Sequence, residues 1–325
     1  MPKKFRGIGC PCVTPFTEEN TIDLTRFREL IDFLINSEIN AIIAAGCSGE
    51  SYSLTDEEYI QVIDTTIDQV NKAVPVYIGL PTDNNQRILT IANYATSSGA
   101  DGLILYPPRI PSLTQLELIN HFEDISSNID NNFLIVNDPD TSRIDLPINS
   151  LEKISKIDNV VGLIEISNDF KKITQISTKV SNDFLVYTGR GLLVPQAIKE
   201  GGVEGAIIPS ANVVPNLLVE LYEAFNVEMM DRFEELQTKL IPLEIGLKLR
   251  SFPVTIKACL NLLGLNVGIP RKPHLPIDEG NLEKLRNILI SAGCLRPSTP
   301  DEDEDENKLQ ESQNKSSTKK TKKIS

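Results

Sequence analysis

The sequence predicts a (β/α)8 TIM barrel carrying a helical C-terminal subdomain, and three observations support that fold. Eight short, mostly β-branched apolar runs recur along the chain, amphipathic helical patterns fill the intervals, and more helical patterns follow the eighth run. Runs that are apolar throughout mark parallel strands buried on both faces, because crossover helices cover both sides of such a sheet. About 250 residues is ordinary for one such barrel. A chain of 325 therefore has room for an appendage.

The first run is GCPCV at 9–13, followed by a helix over 24–35 in which Leu24, Phe27, Leu30, Ile31, Phe33, Leu34 and Ile35 mark an apolar face. Asp23 precedes that face as its N-cap, where a carboxylate accepts from backbone N–H groups that lack helical partners. The second run is AIIAA at 41–45; the helix after it starts from Thr55, with Asp56, Glu57 and Glu58 in its first turn. Acidic side chains there complement the positive end of the helix dipole. The remaining strands are expected at 74–79, 102–106, 133–136, 160–166, 184–187 and 205–208. Beyond them, residues 215–293 read as further helices, including 216–225 and 254–264. The expected organisation is a barrel over 1–215, a helical subdomain over 216–296 and a tail over 297–325.

The tail runs DEDEDE at 301–306 and KKTKK at 319–323. It holds too little apolar surface to offset the entropy of ordering and is expected to be disordered. Its charge blocks make it a candidate docking segment for another protein.

With 32 basic against 45 acidic residues the net charge is −13, and the tail holds six Lys and seven Asp or Glu, so the acidity belongs to the barrel and its subdomain. Such a body repels phosphate backbones, which argues against nucleic-acid binding by the barrel. No apolar run approaches the roughly 18 residues of a membrane span. The N-terminus MPKKFRG lacks the apolar stretch of a secretory signal. Five cysteines, Cys10, Cys12, Cys47, Cys259 and Cys294, form no CxxC pair and are odd in number. That suits reduced thiols and a cytoplasmic location.

The segments that carry chemistry are VTPF at 13–16, GCSGES at 46–51, PPRI at 107–110, VNDPDTSR at 136–143, GLIE at 162–165, GGVEG at 201–205, SAN at 210–212 and RKPHLP at 271–276. Together they resemble the dihydrodipicolinate synthase and N-acetylneuraminate lyase family over roughly residues 5–290. The resemblance implies a barrel whose members process pyruvate adducts through a Schiff base on a strand-six lysine, with a homodimer or homotetramer as the assembly. It implies no cofactor and no metal.

At the positions where the resemblance places that chemistry, this chain departs. Ile164 stands for the imine lysine, Val136 for the relay tyrosine, Cys47 for the relay threonine, and Ile110 for the tyrosine that reaches a neighbouring subunit. Thr141 stands for the carboxylate-binding arginine, and an arginine follows two places later at Arg143. Gly46, Gly49, Glu50, Ser51, Pro139, Gly201, Gly202, Gly205, Ala211 and Asn212 match the family. An isoleucine cannot form an imine, so no catalytic residue is expected at the four changed positions.

The expected ligand-binding set is Ser48, Ile207, Arg143, Thr141, Arg109 and Arg190, with a small carboxylate or phosphate as ligand. Arg109, Arg143 and Arg190 follow strands four, five and seven, and in a barrel all would point to the carboxyl-end mouth. Other readings stay open. An active 4-hydroxy-tetrahydrodipicolinate synthase or related lyase is one, and an enzyme using Cys47 as nucleophile among the arginines is another. A metal set of Asp138, Asp140, Glu50 and Glu165 lacks the imidazole such sites generally use, since His121 and His274 lie elsewhere in the sequence.

Overall fold

The computed structural model describes residues 5–82, 84–110 and 112–297; the charged tail beyond lies outside them. The chain alternates β1 (Gly7–Pro11), α1 (Leu24–Asn36), β2 (Ala41–Ala44), α2 (Asp56–Val70), β3 (Val76–Gly79), α3 (Asn85–Ser98), β4 (Gly102–Leu105) and α4 (Gln115–Ser127). It continues through β5 (Phe133–Asn137), the single turn α5 (Pro139–Ser142), α6 (Ile148–Ile154), β6 (Val160–Glu165), α7 (Phe170–Lys179), β7 (Leu185–Thr188), α8 (Val194–Glu200) and β8 (Gly205–Ile207). Four more helices follow: α9 (Pro215–Asn226), α10 (Met230–Gly246), α11 (Val254–Leu262) and α12 (Glu279–Ser291). The eight strands pair in sequence order, all parallel, and β8 closes on β1.

Helix starts follow local chemistry. Asp23 caps α1 by accepting from the Arg26 amide at 3.0 Å, and Thr55 with Glu58, then Thr114 with Glu117, form reciprocal capping boxes on α2 and α4. The first strand lies two residues nearer the N-terminus than its apolar run suggests. Gly7 pairs with Gly205 there, and a Cβ on Gly205 would stand 1.8 Å from the Gly7 carbonyl, so this approach of two backbones requires glycine.

Two apolar clusters result. The larger fills the space between strands and helices. The smaller lies inside the barrel, where Ile43, Ile104, Leu134, Val136, Ile164 and Ile207 meet above Phe5, Tyr77 and Tyr187. Phe5 plugs the amino-terminal end: its ring stacks on Tyr187 at 4.7 Å, and its carbonyl accepts from the Tyr187 hydroxyl at 2.6 Å. Strand alternation decides the membership. On β6, Ile164 enters the barrel cluster while Leu163 joins the outer core and Glu165 bonds outside it.

The appended segments are tied to the mouth loops by buried ions. Lys257 on α11 pairs with Glu50 at 2.7 Å, both side chains at most 1% exposed, and the Arg271 amide donates to the same carboxylate at 2.9 Å. The Arg271 guanidinium forks onto Glu58 and over the Phe16 ring. Within the barrel mouth, Asn212 joins the loops after β1 and β8, accepting from the Val13 amide and donating to the Pro11 and Pro209 carbonyls. No helix among the described residues is long and apolar enough to cross a membrane.

Candidate functional site

The carboxyl ends of the strands open into a chamber of about 390 Å³. Its deep wall is hydrocarbon: Ile43, Ile104, Val136, Ile164, Ile166 and Ile207 line it. Its outer wall is polar, with Ser48, Asp140, Thr141, Arg190, Ser210 and Glu244. A second cavity of about 380 Å³ shares Cys47, Tyr106, Asp138 and Thr141 with the first and runs out to Arg109, Ile110 and Tyr52.

Most of the candidate residues from the sequence come together here, and one does not. Ile164, Val136, Cys47, Ser48, Thr141, Arg190 and Ile207 line the chamber, while Arg109 and Ile110 line its neighbour. Arg143 lines neither. It caps α5 in a left-handed conformation with φ 61°, and this reversal directs it into solvent, whereas Thr141 within the turn faces the cavities. Of the three arginines, Arg190 lines the chamber, Arg109 its neighbour and Arg143 neither.

Arg190 is also not a free cation. Its guanidinium pairs with Asp140 at 2.5 Å, which neutralises part of the charge a bare anion would need.

The acidic residues weighed as a metal set are scattered. Glu50 pairs with Lys257, and Glu165 accepts from the Asn137 amide nitrogen at 2.9 and 3.0 Å and from the Ser167 amide at 2.8 Å, outside the barrel interior. Lys172 serves the same external network through Asp145 and stands 3.7 Å from Glu165. Asp138 and Asp140 alone of the four line the chamber.

Cys47 is a poor nucleophile in this setting. Burial pushes its thiol up, and nearby Arg109 only partly counters that, with Asp138 acting in the same direction as burial. Its backbone amide donates to the Tyr106 hydroxyl at 3.3 Å. That phenol, also pushed up by burial, is a hydrogen-bonding group and not an anion at neutral pH.

Tyr106, Glu244, Lys248 and Arg250 line the chamber without a mark in the sequence motifs, and Ser210, within the SAN segment, lines it although it was not among the expected ligand-binding residues. Glu244 did leave a trace: it interrupts the apolar run LEIGL at 243–247. On α10 it follows Leu236, Leu240 and Leu243, a stripe that is buried. Glu244 is 8% exposed, and its carboxyl lies over Gly191, where a Cβ would meet it at about 2 Å. Burial raises the Glu244 pKa, against the opposing effects of Ser210, Lys248 and Arg190.

The family model described as dihydrodipicolinate synthetase family matches residues 4–292. The chain belongs to this family. It is 33% identical over 293 residues to a 4-hydroxy-tetrahydrodipicolinate synthase of Thermoanaerobacter sp. strain X514, covering 90% of this chain and 98% of that one. A synthase of the same name from Methanococcoides burtonii is 32% identical over 293 residues, covering 90% and 100%. Among solved structures, the dihydrodipicolinate synthase of Thermotoga maritima superposes with a TM-score of 0.85 at 29% identity, over 90% of this chain and 99% of that one. A Bacillus anthracis dihydrodipicolinate synthase gives 0.85 at 28% identity, over 89% and 98%.

Proposed function

We propose that this member of the dihydrodipicolinate synthetase family binds a small carboxylate-bearing ligand at its mouth and does not form a lysine imine. The observation that carries the proposal is the composition of the chamber floor. Ile164, 3% exposed, occupies the strand-six position inside the barrel, among Val136, Ile104 and Ile207. The lysines near the mouth support it as well. Lys257 is held by Glu50, Lys172 lies in the network outside the barrel, and Lys248 stands exposed on the outer wall of the chamber.

The ligand-binding residues in this reading are Ser48, Thr141, Arg190 and Ile207 in the chamber, with Arg109 at its neighbour. We place the protein in the cytoplasm as a homodimer or homotetramer. Tyr52 and Ile110, 46% and 55% exposed, favour an assembly because they form an apolar edge on the outer cavity.

Mass spectrometry after incubation with pyruvate and borohydride, beside a relative carrying the lysine, tests the proposal. An unlabelled chain is the expected result, and a reduced adduct on Lys248 or any other lysine refutes it.

A second reading, retained synthase activity, is favoured by the relatives, which bear that name at 33% and 32% identity over nearly their whole length. Condensation of pyruvate with an aldehyde-bearing amino acid by the purified chain would establish it.

A further inference from the structure

The deep wall of the chamber is built to meet hydrocarbon. Ile43, Ile104, Val136, Ile164 and Ile207 are each at most 4% exposed, yet all of them border the open cavity. Two glycines let these side chains settle there: a Cβ on Gly9 would meet Ile207 and Ile43 at 3.0 Å, and one on Gly189 would meet Ile166 at 2.5 Å. Leu247, Phe252 and Ile256 add apolar surface from the side of α10 and α11. Most of the wall is β-branched and therefore stiff about χ1, so it keeps its shape and does not fold over to cover itself. Water against such a wall is unfavourable, and an apolar ligand that displaces it gains the difference.

The polar lining limits the head that such a ligand carries. Three acids, Asp138, Asp140 and Glu244, and three bases, Arg190, Lys248 and Arg250, line the chamber, so it holds no cationic excess for a phosphate or a dicarboxylate. Two neutral donors remain. Ser48 is 2% exposed, and its hydroxyl makes no hydrogen bond to a described residue. The unpartnered side-chain atoms sealed inside the described residues do not include that hydroxyl, so it opens on the chamber that Ser48 lines. The Tyr106 hydroxyl accepts from the Cys47 amide at 3.3 Å, which sets it beside the Ser48 turn, and its own hydrogen meets no acceptor among the described residues. Two such O–H groups suit a single carboxylate.

Resting on the reading that this mouth binds a small carboxylate without imine formation, we propose that the chamber selects aliphatic monocarboxylates whose chain is longer than the methyl of pyruvate. The carboxylate accepts from the Ser48 and Tyr106 hydroxyls, and the chain packs on Ile104, Val136, Ile164 and Ile207. Pyruvate brings one methyl to that floor and leaves the rest of it wet. Each further methylene removes apolar area from water on both sides of the contact. Tyr106 is then a binding residue, and the hydrocarbons at Val136 and Ile164 set the specificity.

Titration of the full chain with butanoate, pentanoate and hexanoate, against pyruvate, tests the assignment by calorimetry. Affinity is expected to rise about fourfold with each methylene, and hexanoate is expected to bind more tightly than pyruvate. Val136→Thr, nearly isosteric, places a hydroxyl in the floor and should weaken hexanoate at least about fivefold. Tyr106→Phe removes one donor to the head, so it should weaken all three chains by about tenfold and leave the step per methylene intact. Circular dichroism checks that both variants are folded. Equal affinity along the series, pyruvate bound as tightly as hexanoate, or a hexanoate affinity that neither variant changes overturns the proposal. A flat series with measurable binding, in a chain that pyruvate and borohydride leave unlabelled, defeats this assignment alone. Failure to bind any of the four carboxylates, or a reduced pyruvate adduct, defeats the reading beneath it as well.

Discussion

Val136 and Ile164 are register partners on the adjacent strands β5 and β6, and both side chains enter the barrel interior. By the family resemblance these are the seats of the relay tyrosine and the imine lysine, so the two groups that would exchange a proton are a pair of neighbouring hydrocarbons. The change is local to the floor. Restoring only the amine should separate covalent capture from turnover.

Ile164→Lys is expected to gain a borohydride-trappable pyruvate adduct, because desolvation on an isoleucine floor lowers the pKa of an ammonium and frees the amine to attack. Its melting temperature should fall, and keto-acid turnover should stay at background because Val136 offers no hydroxyl. Mass spectrometry of Ile164→Lys beside the parent checks the first point. A Lys variant that stays unlabelled would mean that this floor is closed to pyruvate.

The Glu50–Lys257 pair gives a second prediction, about stability. Both ions are buried, so removing one leaves the other uncompensated, at a cost of about 3–5 kcal/mol. Lys257→Met should lower the urea midpoint accordingly, and Glu50→Gln combined with Lys257→Met should recover a large part of the loss. A strictly additive double variant would show that the pair is not coupled.

What the chain disclosed of itself follows the range of the forces involved. The strands were legible because burial on both faces leaves uninterrupted β-branched runs, and the floor was legible because Ile164 and Val136 sit within those runs. The fate of Arg143 was not, since a left-handed residue without glycine turns it out of the mouth, and nothing in DPDTSR announces that reversal. The outer wall was hardest, for Glu244, Lys248 and Arg250 come from α10 and the turn after it, which return to the mouth only through tertiary packing. A glutamate on the buried stripe of α10 was the available sign.

Acid should expose the Arg271–Glu58 fork. The Arg271 hydrogen bonds hold the Glu58 carboxyl below its ordinary value of 4.5, so the folded state favours the carboxylate more than the unfolded chain does. That contribution is fully present above about pH 4.5 and is lost as pH falls through the depressed folded value. Glu58→Gln should therefore be less stable than the parent at neutral pH, with the difference closing in acid. Chemical denaturation of both proteins at a series of pH values measures it, and a difference independent of pH would remove Glu58 ionisation from the account.

Glu244 should behave in the opposite sense, because burial raises its pKa and the folded state then favours the protonated form. The unfolded chain gives up its proton near the ordinary 4.5, so folding stability declines as pH rises from there through the higher folded value, and it stays reduced above. Removing the ionisable group removes that decline. Glu244→Gln should consequently melt higher than the parent at neutral pH, the two converging in acid. Melting curves of both proteins from pH 4 to 8 carry the comparison. A Glu244→Gln protein less stable than its parent at neutral pH without ligand would place Glu244 among the structural groups instead.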